Sequence, residues 1–123
     1  MKKIFSVFLM VLVALSLGLS NLKADETRTI NHVTKVVTSN TVVETHGVTV
    51  YKVSGYANAA NAIYALCNQA SLATPDSTAY KVEGGEASQY DSIPTLDFGD
   101  EGIRFSTGLT VFTVGSYLVI EYE

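Results

Sequence analysis

The clearest indication of the fold is the C-terminal stretch IRFSTGLTVFTVGSYLVIEY, residues 103–122. It contains three apolar segments, at residues 103–105, 109–114 and 117–122. Short segments rich in β-branched and aromatic residues are typical of strands. Both faces of the last two segments carry apolar side chains, which predicts strands that lie in the interior of a sheet or are covered on both sides. The Gly115-Ser116 connection predicts a type II′ turn and a tight hairpin between these two segments.

The same β pattern extends towards the N-terminus. Valine and threonine are dense from residue 33 to residue 53, and β-branched residues favour strands over helix. We expect strands near residues 33–38, 41–46 and 48–57, with turns at Ser39-Asn40 and His46-Gly47.

Residues 60–73 allow two interpretations, because their Ala and Leu content also suits a helix. We predict a strand at 62–68, since Asn58 and Asn61 bracket a turn and Pro75 closes the following loop. Further on we expect a strand from Tyr80 to Glu83 that ends at Gly84-Gly85, a polar strand or extended loop at 87–93, and a sheet edge at Pro94.

Short strands with turn signals about every eight to twelve residues predict an all-β fold. We expect a small antiparallel β-sandwich of the jelly-roll or Ig-like kind, with a closed barrel as the second choice. Residues 32–123 are assigned to this single domain.

The N-terminus has the plan of a secretory signal peptide. Lys2 and Lys3 precede an apolar run over residues 4–19, and polar residues follow. The run is shorter than the roughly 20 apolar residues of a spanning helix, so a permanent membrane anchor is the weaker interpretation. We predict a signal peptide at 1–24, with cleavage after Ala24 or alternatively after Ser20, and a flexible lead-in at 25–31. The protein is then secreted, extracellular or periplasmic.

The charge of the exported chain excludes two classes of partner. The full chain has a net charge of −4, and loss of the three lysines in residues 1–24 leaves −7. Basic clusters are absent from the sequence, so neither nucleic acid nor, after signal cleavage, an anionic membrane is an expected partner. The single cysteine, Cys67, cannot form an intrachain disulfide; we expect a small buried apolar residue, with an intermolecular disulfide as the alternative.

Candidate sites are few, and we predict no catalytic residues. Asp97, Asp100 and Glu101 lie among Gly99 and Gly102 and could supply oxygen ligands to Ca²⁺; the alternative is a solvated acidic turn. Apart from Ca²⁺ we expect no cofactor, because the two histidines do not have the spacing of zinc ligands.

Tyrosine is the remaining resource for binding. The chain has seven tyrosines and no tryptophan. Tyr90, in the polar segment before Pro94, is the candidate for an exposed ring that binds a sugar or a protein.

From Tyr51 to Tyr122 the order of features resembles small β-sandwich proteins of tailed-phage virions, especially head-decoration and tail-associated modules. The resemblance rests on the strand that contains Tyr64-Ala-Leu, the polar loop after it, and the run from Gly102 to Val111 before the final segments. It implies a β-sandwich fold and a place on the virion surface. The export signal departs from that pattern, since virion parts normally assemble in the cytoplasm.

Three functional hypotheses follow. The leading one is a non-enzymatic extracellular or virion-associated structural and interaction protein that binds a protein partner or itself, through strand edges or apolar faces. The alternative is a secreted carbohydrate-binding or adhesin domain that binds surface glycans. The third is a small secreted hydrolase that brings His32 or His46 together with carboxylates in a pocket.

Overall fold

β-Branched and aromatic residues build strands throughout residues 32–123, the part of the chain that the computed structural model describes. The predicted signal peptide (1–24) and lead-in (25–31) lie outside the described residues. The strands are β1 (Val33–Val37), β2 (Thr41–Glu44), β3 (Val48–Ala57), β4 (Ala62–Cys67), β5 (Tyr80–Glu86), β6 (Leu96–Asp97), β7 (Ile103–Phe105), β8 (Leu109–Val114) and β9 (Ser116–Tyr122). Residues 32–123 contain no helix, and therefore no helix that is long and apolar enough to span a membrane.

The strands form two antiparallel sheets. Sheet A has the order β1-β9-β3-β6, with β7 also paired to β3, and sheet B has the order β2-β8-β4-β5. The two sheets enclose one core, to which these buried residues belong: Val37, Val48, Val50, Val53, Tyr64, Leu66, Val82, Ile93, Phe105, Leu109, Val111, Leu118, Ile120 and Tyr122. The predicted all-β, sandwich-like architecture is confirmed.

The predicted hairpin at Gly115-Ser116 is wrong. β8 belongs to sheet B and β9 to sheet A, so the chain changes sheets at this point. Gly115 adopts a φ of +70° and bends the chain. Core residues have odd numbers before the bend (Leu109, Val111) and even numbers after it (Leu118, Ile120), because each strand turns one apolar face to the shared core. The predicted interior positions are confirmed: β8 lies between β2 and β4, and β9 between β1 and β3.

Two further predictions concern β4 and β5. Residues 62–67 are a strand and not a helix, as predicted. The predicted end of β5 at Gly84-Gly85 is wrong, because the strand continues to Glu86. Both glycines pair with β4, and a Cβ at Gly84 would lie 2.6 Å from the hydroxyl of Tyr64. Glycine therefore permits close approach of the two strands and does not end β5.

Within residues 32–123, one hydrogen bond between two side chains links the sheets directly. Tyr122 Oη, on β9, donates to Glu44 Oε1 on β2 at 2.8 Å. The other carboxylate oxygen of Glu44 lies 3.0 Å from Nε2 of His46. Burial first, and then the hydrogen bond to Glu44, raise the pKa of Tyr122 to about 12.

Candidate binding surface

The outer face of sheet B carries an apolar groove across three strands. Directly opposite residues of an antiparallel pair share a face, so Phe112, Ala65 and Glu83 form one row across β8, β4 and β5. Val114 and Ile63 form the neighbouring row, which ends at Gly85. Ala65 is small and lies between the larger Phe112 and Glu83, which produces a concavity with a volume of about 490 Å³. We call this surface the sheet groove; its lining includes Asn40, Ile63, Ala65, Tyr80, Glu83, Phe112 and Val114.

Two apolar side chains of the sheet groove are open to solvent. Ile63 is 61% exposed and Val114 is 66% exposed. The outer face of an antiparallel sheet is ordinarily polar when it faces water. Contiguous exposed apolar side chains in a concave surface indicate a binding site, and the volume lies within the range of about 300–1,000 Å³ found for ligand sites.

Hydrogen bonds to β8 fix one border of the sheet groove. β2 begins at Thr41 and therefore has no residue opposite Thr113 on β8. The N–H of Thr113 donates instead to Asn40 Oδ1 at 2.9 Å. Thr113 Oγ1 in turn donates to the carbonyl of Ile63 at 3.1 Å. A border held by these bonds keeps the groove in one shape.

The opposite end of the same face is covered by the chain that follows β4. Cys67 is fully buried, which confirms the prediction of a small buried apolar residue. The next residues are fixed to β8, since Thr110 Oγ1 donates to the carbonyl of Gln69 at 2.8 Å. Burial, and to a smaller degree the carboxylate of Glu83, raise the pKa of the Cys67 thiol.

Tyr90 is the most exposed aromatic residue among residues 32–123, at 75% of its surface. It has a φ of +69°, a conformation that is unusual for a bulky residue. Its N–H donates to the carbonyl of Ala57 at 2.7 Å, and the N–H of Ala57 donates to the carbonyl of Asp91 at 2.9 Å. The exposure of Tyr90 agrees with the prediction from the sequence, whereas a binding role for this residue stays a prediction.

Other aromatic rings lie on sheet A. Tyr56 and Tyr117 are neighbours on adjacent strands, and their rings stack with centroids 4.9 Å apart. His32 stacks on Tyr51 at 4.4 Å. These rings cover the outer face of sheet A and are partly exposed.

Of the three carboxylates predicted to bind Ca²⁺, Asp97 is the last residue of β6, and Asp100 and Glu101 lie in the exposed turn between β6 and β7. One carboxylate oxygen of Asp97 accepts the N–H of Gly99 at 2.9 Å. Within residues 32–123, no three His, Cys, Asp or Glu side chains are grouped so that they could hold a metal ion. The side chains of Asp97, Asp100 and Glu101 are therefore not grouped as a ligand set, and Ca²⁺ binding stays a prediction.

Neither histidine lies in the sheet groove. His46 faces Glu44, and Nδ1 of His32 is 3.9 Å from Glu121. A hydrolase of the predicted kind needs a pocket in which an imidazole lies among carboxylates. The sheet groove is not such a pocket.

The residues of the sheet groove were not singled out by the sequence as a site. The available signal was the apolar character of both faces of β8, because only one face can contact the core of a two-sheet fold. Phe112 and Val114 occupy the second face.

Comparison with known proteins adds no relative: no protein-family model, no curated protein and no solved structure matches the chain.

Proposed function

We propose that this chain is an exported, non-enzymatic structural and interaction protein that associates with further copies of itself through the sheet groove. The observation that carries the proposal is the concave apolar face formed by exposed Ile63 and Val114 and half-buried Phe112. A second protein that covers such a face removes it from water. This contributes about 25 cal/mol of favourable free energy for each Å² of apolar surface buried.

The finer topology supports a structural role. Strands pair as β1 with β9, β2 with β8, β3 with β6 and β7, and β4 with β5. This nesting is that of one long antiparallel hairpin wrapped into two sheets, which is the plan of a jelly roll. Jelly rolls occur in viral capsid proteins and in lectins, so the plan agrees with the hypothesis of a virion-associated role and equally with the second candidate below.

The sheet edges favour contact through a face over contact through an edge. Lys35 on edge strand β1 is paired with core residue Ile120 and so lies on the inward face, where a charge opposes the addition of another strand. β2 has four residues and an irregular register between Val42 and Glu44. The β5 edge is irregular opposite Leu66 and Cys67. Short, bulged or charged edges resist pairing, which leaves the outer faces for association.

Light scattering coupled to size exclusion tests this function. The chain without residues 1–24 is compared with an Ile63→Lys variant over a range of concentrations. We expect the mass of the unchanged sequence to rise with concentration and the variant to stay monomeric, because a buried lysine charge is costly. A strict monomer at every accessible concentration overturns the proposal.

A second candidate is a carbohydrate-binding domain, favoured by the exposure of Tyr90 and by the partly exposed Tyr56. Aromatic faces with a hydroxyl group suit sugar rings. A glycan array without hits, together with unchanged tyrosine fluorescence on addition of polysaccharide, removes this candidate.

A further inference from the structure

Packing of the Tyr90 side chain does not account for the backbone conformation of this residue. A left-handed backbone costs a bulky residue about 1–3 kcal/mol, and Gly or Asn adopts it more easily. The ring is 75% exposed, so packing within the chain returns little of that cost. Strained residues that do not pack are typical of positions selected for contact with something else.

The backbone holds Tyr90 in a fixed position. Besides the two bonds to Ala57, the N–H of Asp91 donates to the carbonyl of Ser88 at 3.2 Å. Gln89 Nε2 donates to the carbonyl of Asn58 at 3.1 Å. The loop is thereby tied to the end of β3, and the ring projects from it with little backbone freedom to lose on binding.

The same chain offers a surface that such a ring fits. The sheet groove is concave and mostly apolar, with an aromatic wall at Phe112 and a carboxylate at Glu83 that can accept a hydrogen bond from a tyrosine hydroxyl. Tyr90 is not among the residues that line it, and its loop is bonded to sheet A, whereas the groove lies on sheet B. The ring and the groove are therefore separate surfaces of one copy.

We propose that Tyr90 of one copy inserts into the sheet groove of the next copy. This inference rests on the proposed self-association and specifies its geometry. The contact joins two different surfaces, so it is head-to-tail, and each added copy presents a further ring and a further groove. Assembly then continues beyond a dimer, into a ring or a filament.

A mixing experiment with two variants tests the geometry. Tyr90→Asn removes the ring and keeps a residue that tolerates the left-handed backbone. Val114→Lys places a charge at the groove and keeps Tyr90. We expect each variant alone to be monomeric by light scattering. An equimolar mixture should form a dimer that grows no further, because only one intact ring and one intact groove are available.

Two measurements check that the variants report binding and not misfolding. At a concentration low enough for both variants to be monomeric, relief of backbone strain should raise the melting temperature of Tyr90→Asn above that of Tyr90→Phe. Tyr90→Phe keeps the ring and should still assemble, with an affinity weakened by about tenfold or less, the effect of one hydrogen bond.

The outcomes separate this inference from the proposed function. If the unchanged sequence assembles but the mixture stays monomeric, or if Tyr90→Asn still assembles, the head-to-tail contact is wrong and self-association stands. If the unchanged sequence is monomeric, both are wrong. Binding of a glycan that Tyr90→Asn abolishes, in a chain that stays monomeric, also overturns the inference and assigns Tyr90 to the second candidate.

Discussion

Tyr122 connects the two sheets through one hydrogen bond, and its phenol ring is buried in the core. Replacement by Phe keeps the ring and removes the donor to Glu44. Hydrogen bonds to charged groups contribute about 1.5–3 kcal/mol, and Glu44 retains its contact with His46. We expect Tyr122→Phe to lower the free energy of unfolding by about 1–3 kcal/mol in urea denaturation. Tyr117→Phe, which keeps the stacked ring beside Tyr56, should change it by about 0.5 kcal/mol or less.

Ionisation of Tyr122 predicts a loss of stability in alkali. The pKa of its phenol is about 12 in the folded chain against 10.0 for an unperturbed tyrosine. A raised pKa means that the folded chain holds the proton more tightly, so the contribution is complete below pH 10 and is lost as the pH rises through 12. Burial also raises the pKa of Tyr64.

Unfolding measured across this alkaline range, with tyrosinate absorbance recorded in parallel, checks the prediction. In Tyr122→Phe, the part of the tyrosinate absorbance that appears only near pH 12 should be smaller. The free energy of unfolding of that variant should also fall less steeply with pH. Equal slopes for the two proteins would assign the alkaline loss to other tyrosines.

At the scale of elements, the bend at Gly115 determines which sheet receives β9. Gly99 has nearly the same φ, +71° against +70°. The two sites differ in space, because a Cβ at Gly115 would lie 2.9 Å from Cβ of Ala59, whereas nothing lies within 4 Å of a Cβ at Gly99.

The pair Gly115→Ala and Gly99→Ala separates strain from steric conflict. Backbone strain alone should cost each variant about 1–2 kcal/mol of unfolding free energy. Gly115→Ala should cost at least about 1 kcal/mol more, because Ala59 must shift. Urea denaturation measures the difference, and equal losses would show that the bend tolerates a side chain.

The strands could be predicted from the sequence because period-two patterning is local. Residues 48–57, 103–105 and 109–114 were predicted with the bounds that the structure has. The sheet to which each strand belongs is not local information. A Gly-Ser connection fits a hairpin and a change of sheet equally well, and the shift from odd to even buried positions at Gly115 distinguishes them only once the core is known.

The candidate binding surface shows the same limit. The exposure of Tyr90 could be predicted from its polar neighbours and the following proline. The sheet groove could not, because Phe112, Ala65 and Glu83 become neighbours only through the register of three strands that are distant in sequence. Short edge strand β6 was also missed, since two residues carry no periodic pattern.

At the scale of the whole molecule, charge opposes association. Each copy without residues 1–24 carries a net charge of −7, so two copies repel one another. Salt shortens the Debye length from about 30 Å at 0.01 M to about 10 Å at 0.1 M, and apolar contact is not weakened by this screening. We expect sedimentation to show tighter self-association, by several-fold, at the higher salt concentration. Weaker association in salt would indicate a contact held by charge pairs, contrary to an apolar groove.

Association through sheet B is tested by sedimentation of two matched variants. Val114→Lys places a charge on the outer face of sheet B, and Val36→Lys places the same charge at an exposed valine on edge strand β1 of sheet A. We predict that the unchanged sequence and Val36→Lys form assemblies and that Val114→Lys sediments as a monomer. Monomers in all three, or assemblies of Val114→Lys equal to those of the unchanged sequence, would contradict self-association through the sheet groove.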